Sequence, residues 1–303
     1  MRGIAVLMFC AAFAAAQSES RPPTFNSTTT LVLVPATVTD GSNRFLLGLQ
    51  KKDFHLFEDG VEQTISQFAS EDAPLSVGLV FDTSGSMGLK LRKSRDAAIQ
   101  FLKTLNAQDE AFLVEFGDKA DLTQEFTNKP EDIEGKLQAL QPGGLTAMLD
   151  AANLGLQEMK KAKNPRKALV VISDGGDNNS KYKASEIESL VREADVQIYA
   201  MGVFEPDFSF LGLSKEEISG PKLLAEITQQ TGGRVFAASD PGDLPSVATR
   251  IGVELRNQYV LAYTPANAQK DGKYRKVEVK IDGPSGISNL KVRWRLGYYA
   301  PSE

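Results

Sequence analysis

The period of the hydrophobic positions changes twice along this chain. Between residues 31 and 70 it is short and strand-like. Leu31–Thr39 and Phe45–Leu49 read as strands, and Phe54–Glu58 and Val61–Phe68 flank the hairpin-turn pair Asp59-Gly60. From about 75 to 257, apolar strands alternate with amphipathic helices, the mark of a βαβ sheet. Strands are predicted at 75–82, 110–117, 120–126, 167–173, 196–203 and 234–238. Helices are predicted at 88–106, 130–140, 146–163, 184–194, 221–231 and 243–257, with Pro130 and Pro221 at first-turn positions. Gly117-Asp118 marks an antiparallel hairpin between the second and third of these strands. From 258 onward strict alternation returns in Tyr259-Leu261-Tyr263, Val277-Val279-Ile281 and Val292-Trp294-Leu296.

Each β flank is too short to enclose a core alone. The economical solution packs residues 31–70 with 258–299 as one β-sandwich, with Trp294 in its core. The fold class is therefore α/β: a doubly wound, mostly parallel sheet at 75–257, inserted into a small β-sandwich formed by the two flanks.

The first residues carry a different signal. Met1-Arg2, an apolar stretch from Ile4 to Ala15 and the small residues Ala14-Ala15-Ala16 read as a secretory signal peptide over 1–16. Residues 17–30, rich in Ser, Thr and Pro, read as a flexible leader. The expected location is outside the cytoplasm: secreted, periplasmic or on the cell surface. Cys10, the single cysteine, lies within the apolar stretch, which argues against a lipid anchor and leaves the mature chain without disulfides. The formal net charge is −5, and loss of Arg2 makes it one unit more negative. No basic cluster suits nucleic acid, and no later segment is long and apolar enough to span a bilayer. His55 is the single histidine and lies in the alternating stretch Phe54-His55-Leu56-Phe57. That count excludes His/Cys zinc sites and disfavours Ser-His-Asp or Cys-His catalysis.

The candidate chemistry sits at strand ends. Asp82-Thr83-Ser84-Gly85-Ser86 follows the apolar strand at 75–82 and opens a helix. Gly143-Gly144-Leu145-Thr146 opens another helix, and Ser173-Asp174-Gly175 ends the strand Ala168–Ile172. In open α/β sheets ligands bind at the carboxyl edge, next to the switch in strand order. Asp82, Ser84, Ser86, Thr146 and Asp174 can converge there as a hard-oxygen set for a divalent cation. Read singly, each has a plainer explanation as a helix cap or turn residue. Asp177-Asn178-Asn179-Ser180 reads as a solvated loop rimming the site, and Asp118 and Asp121 as hairpin surface charges. Phe208, Phe210 and Leu211, within Phe204–Leu213, would emerge on the same edge and either face a partner or tuck back onto the domain.

The set Asp82-x-Ser84-x-Ser86, Thr146 and Asp174-Gly175 resembles the metal-ion-dependent adhesion site of von Willebrand factor type A domains. The flanks, including Tyr259–Pro265, Asp271–Lys276 and Gly297-Tyr298-Tyr299, resemble the secreted bacterial proteins related to that family. The resemblance implies hydroxyls bound directly to the ion, carboxylates partly through water, and one coordination position open to a partner's carboxylate. It implies Mg²⁺, with Ca²⁺ or Mn²⁺ possible. The partner would be a protein presenting an Asp or Glu, and the chain would not be an enzyme.

Two rival readings remain at the level of sequence. One is a Mg²⁺-dependent phosphoryl-transfer enzyme with Asp82 as nucleophile. Its pattern departs here, with Thr83 where related ATPases carry Lys and Ser84 where related phosphatases carry a second Asp. The other is a structural module with an inactive site.

Overall fold

Strand β5 (Leu75–Asp82) is buried at every position, which requires cover on both faces. The computed structural model describes residues 31–70, 73–204, 215–238, 240–283 and 289–302. The expected signal peptide and leader, and most of Phe204–Leu213, lie outside these residues.

Five further strands join β5: β6 (Glu110–Phe116), β7 (Ala120–Thr127), β8 (Arg166–Ser173), β9 (Gln197–Val203) and β10 (Val235–Ala238). The sheet order is β10-β9-β8-β5-β6-β7. All neighbours are parallel except β6 and β7, which form the antiparallel hairpin that Gly117-Asp118 predicts. Alternate residues of β5 and β8 feed two separate cores. Leu75, Val77, Leu79, Phe81, Ala168, Val170 and Ile172 pack against α1 (Leu91–Leu102), α2 (Pro130–Ala139) and α6 (Leu244–Arg256). Val80, Leu169 and Val171 pack against α3 (Met148–Met159), α4 (Ala184–Glu193) and α5 (Lys215–Gln230). Period-two side chains and two helical layers therefore account for these wholly apolar strands.

The flanks interleave. One antiparallel sheet has the order β13-β1-β11-β4, from β1 (Val32–Thr39), β4 (Ile65–Ala69), β11 (Tyr259–Tyr263) and β13 (Lys291–Trp294). The other has the order β14-β12-β2-β3, from β2 (Phe54–Glu58), β3 (Val61–Gln63), β12 (Tyr274–Ile281) and β14 (Gly297–Tyr299). Each contains strands from both ends of the chain. Their shared core includes Val34, Leu56, Tyr259, Leu261, Tyr263 and Val279. Tyr263 and Tyr298 both donate hydroxyl hydrogen bonds of 2.7 Å to buried Glu58, so this carboxylate is satisfied inside the sandwich.

Several sequence expectations need correction. Phe45–Leu49 is not a strand: Phe45 makes an isolated bridge to Thr39, and the chain then runs irregularly. Val61–Phe68 divides into β3 and β4, which join different sheets. Pro221 lies inside α5, which begins at Lys215. A proline there leaves one intrahelical hydrogen bond unmade and crowds the preceding turn. Trp294 is half-buried at the core margin, and its indole donates to the Val277 carbonyl at 2.9 Å.

Among the described residues, no helix is long and apolar enough to cross a membrane. Replacing Leu261 by Ala should remove about 2–5 kcal/mol, the usual cost of truncating a buried leucine. Trp294 is the single tryptophan and abuts this core, so its fluorescence in a urea titration reports the loss. An unchanged midpoint would contradict the shared core.

Candidate metal centre

Parallel pairing of β5 with β8 sets Phe81 opposite Ile172, so both strands end at the same height. Asp82 and Asp174 are thereby carried to one carboxyl edge, where they are 0% and 4% exposed. Asp82 Oδ1 accepts the Ser84 backbone N–H at 2.8 Å, and its Oδ2 accepts the Ser173 hydroxyl at 2.6 Å. Burial raises the Asp82 pKa from 3.8 to about 6, against these two hydrogen bonds and with help from the Asp174 charge.

Backbone links bring the other sequence-predicted residues to the same edge. Gly85 N–H donates to the Gly144 carbonyl at 3.1 Å, and Gly143 N–H donates to the Thr83 carbonyl at 2.8 Å. The Thr146 carbonyl accepts from Asn178 N–H at 2.9 Å and Asn179 N–H at 3.1 Å, while Thr146 N–H donates to Asn178 Oδ1 at 2.8 Å. The loop holding Thr146 is thus fastened both to the Asp82–Ser86 loop and to the loop after Asp174. Ser84 and Ser86 place their hydroxyl oxygens 3.1 Å apart, the first buried and the second exposed.

At Thr146 the plainer reading as an N-cap does not hold. Ala147, not Thr146, is the N-cap of α3, and no side chain of that residue caps it. The first-turn donors Leu149 N–H and Asp150 N–H go instead to Asp177 Oδ1 at 3.3 Å and Ser180 Oγ at 3.1 Å. The loop at 177–180 is therefore a remote cap for α3 as well as a rim. Asp118 also exceeds its expected part as a surface charge. Its carboxylate accepts Leu145 N–H at 2.7 Å, and its carbonyl accepts the Asn179 side chain at 2.7 Å. Asp121 pairs with Lys119 on the surface as expected. Two glycines are needed here. Gly144 has φ +79°, and a Cβ on it would meet the Asp118 carboxylate at 2.6 Å. Gly175 has φ +86°, and a Cβ on it would strike the Gly220 backbone of α5 at 2.6 Å.

Lys90 is a residue that the sequence reading passed over. Its Nζ lies 3.4 Å from Asp174 Oδ2, with both side chains nearly buried. Among the described residues no three His, Cys, Asp or Glu side chains form a metal cage. A cation at this edge would rest on two carboxylates and neutral hydroxyls. The residues fit such an ion: two buried carboxylates share one edge, and a positive group already stands at one of them. Hard oxygen donors in that number suit Mg²⁺ completed by water.

The folded-state pKa of Asp82 lies above its unfolded value, so the proton binds the folded chain more tightly. In metal-free protein the associated stability is fully present below pH 3.8 and is lost as pH rises through about 6. Asp82→Asn, which has no charge to bury, should gain on the order of 3 kcal/mol over wild type by pH 7.5, at ~1.4 kcal/mol per pKa unit. Urea titrations in EDTA at pH 4 and 7.5 test this; an equal difference at both pH values would contradict it.

Comparison with known proteins bears on the domain and its fold. Residues 77–176 match the von Willebrand factor type A domain. An uncharacterized protein of Borreliella burgdorferi is 25% identical over 188 residues, covering 55% of each chain. Inter-alpha-trypsin inhibitor heavy chain H4 of Sus scrofa is 30% identical over 153 residues, covering 46% of this chain and 17% of its own length. This chain thus matches about half of the first relative and under a fifth of the second. Among solved structures, proximal thread matrix protein 1 from the mussel byssus superposes with a TM-score of 0.51 at 18% identity. That match covers 66% of this chain and 51% of the other, and is a likeness of fold. The sequence match over residues 77–176 and the sheet architecture there agree: this part of the chain is similar to a von Willebrand factor type A domain.

Proposed function

We propose that this chain is an extracytoplasmic interaction module that captures an acidic group of a protein partner through one divalent cation. The cation, Mg²⁺ by the character of the donors, would be held by Asp82, Ser84, Ser86, Thr146 and Asp174. The observation that carries the reading is the pair of buried carboxylates on one sheet edge, fastened to two hydroxyl-bearing loops. When bound, the ion supplies an electrophile for the incoming carboxylate. The chain's own part would be to balance the ion with Asp82 and Asp174, fill further positions with neutral hydroxyls that add no negative charge, and hold the loops in place through Asp118 and Asn178.

The phosphoryl-transfer reading has less support. Both Asp82 oxygens accept protein hydrogen bonds, and the side chain has no exposure from which to attack a phosphoester. No turnover of p-nitrophenyl phosphate with Mg²⁺ is expected. Turnover lost in Asp82→Asn would favour the enzyme.

Calorimetric titration with Mg²⁺ or Mn²⁺ should give one site, abolished by Asp82→Ala and weakened about tenfold or more by Thr146→Ala. Because the proton and the metal compete for Asp82, affinity should fall as pH drops through about 6. A peptide array read with Mn²⁺-loaded protein should retain Asp- or Glu-bearing peptides and release them with EDTA or on Asp/Glu→Asn/Gln replacement. Metal binding unchanged in Asp82→Ala would sink the site assignment. Retention indifferent to EDTA would sink the proposed mode of capture.

A further inference from the structure

The burial of Leu89 and Lys90 is inverted. Leu89 is 101% exposed, while Lys90 next to it is 8% exposed. Burying a lysine beside an exposed leucine costs stability unless the ammonium is compensated inside. Lys90 is also the N-cap residue of α1, and its side chain makes no cap hydrogen bond. A cation at a helix N-terminus opposes the helix dipole, and lysine is not among the favoured N-caps. Local preference therefore argues against this residue twice, which is expected where a site imposes its own demand. That demand is visible: Nζ reaches Asp174 Oδ2 at 3.4 Å, on the edge that Asp174 shares with buried Asp82.

The two carboxylates are compensated differently. Asp82 is held by a backbone N–H and a serine hydroxyl, all neutral groups. Among the described residues, Asp174 has the Lys90 ammonium and a long 3.5 Å contact from Gly176 N–H. A divalent cation bound at this edge would bring its charge close to that ammonium.

We propose that the Lys90 ammonium is the resident counter-ion of the site: it balances Asp174 in the metal-free chain and competes with the incoming divalent cation, so it sets the concentration at which the cation loads. This rests on the metal-binding reading above. With Lys90 in place, two carboxylates and one ammonium leave one net negative charge, and a divalent cation turns this into one net positive charge. The loaded site then attracts a single partner carboxylate more strongly than a metal and two carboxylates alone.

The test is calorimetric titration of the full chain with Mn²⁺ and Mg²⁺ at pH 7.5, comparing wild type with Lys90→Gln, Lys90→Met and Lys90→Arg. Both neutral variants should bind the cations about tenfold or more tightly, the scale on which one nearby unit charge shifts an ionic equilibrium. Lys90→Arg should stay near wild type. In EDTA the neutral variants should melt below wild type, because Asp174 is left buried without its partner, and Mn²⁺ should close the gap. Wild type that binds while the neutral variants bind equally or more weakly overturns this inference and leaves the metal site standing. Wild type that takes up neither cation, as Asp82→Ala does, overturns the metal reading and this inference with it. Neutral variants that fail to fold in EDTA but fold with Mn²⁺ support it; failure to fold in both conditions overturns it.

Discussion

Two carboxylates on adjacent parallel strands, both withdrawn from water, are the constraint around which the carboxyl edge is arranged. The β5–β8 pairing is made by apolar residues, and the hydrophobic burial of those strands holds Asp82 and Asp174 where they would not otherwise stay. The surrounding features follow from that conflict. Ser173 and the Ser84 backbone solvate one carboxylate, and Lys90 balances the other. Gly144 and Gly175 let backbone approach too closely for any Cβ, so the loops can close over the edge without adding bulk to it.

The opposite end of the domain is fastened by charge of another kind. The last turn of α6 carries Glu254, fully buried, paired with Arg234 at 2.5 Å and touched by the Tyr199 hydroxyl at 3.5 Å. Gln258 donates to Tyr199 at 3.0 Å and accepts from Arg166, whose guanidinium also reaches the Leu255 carbonyl. Arg256 pairs with Asp109. From the sandwich, Arg295 reaches Asp195 at 2.9 Å. The pairs of Glu254 and Asp109 are buried, and removing one partner of either would leave an uncompensated charge inside. Here they set where α6 ends and β11 begins, so the sandwich is joined to the α/β domain through a polar base, while the opposite edge holds the loops that carry Asp82 and Asp174.

These two ends divide the work of the fold. The base holds domain and sandwich in one relation. The carboxyl edge concentrates unfavourable charge whose compensation a divalent cation would complete.

Much of this was legible in the chain itself. The alternation of apolar strands with helical stripes predicts the central sheet, since a strand covered on both faces must be apolar throughout. The five oxygen-bearing residues were readable because each lies at a strand end or helix start, where local pattern and site position coincide. Phe45–Leu49 misled, because a short apolar run need neither pair nor bury: Phe45 makes one bridge, Leu47 is exposed and only Leu49 is buried. Val61–Phe68 misled because alternation is blind to the break at which one strand leaves for another sheet. Lys90 gave no local signal, and Asp118 and Asn178 signalled only a hairpin turn and a solvated rim. Lysine in a helical stretch and Asp and Asn in polar loops are ordinary, and their parts come from partners 84, 27 and 32 residues away in sequence. Local periodicity and turn chemistry determined the elements and nominated the oxygen-bearing residues at their ends. Only tertiary packing, by burying some charges and leaving others in water, decided which of them must answer to one another.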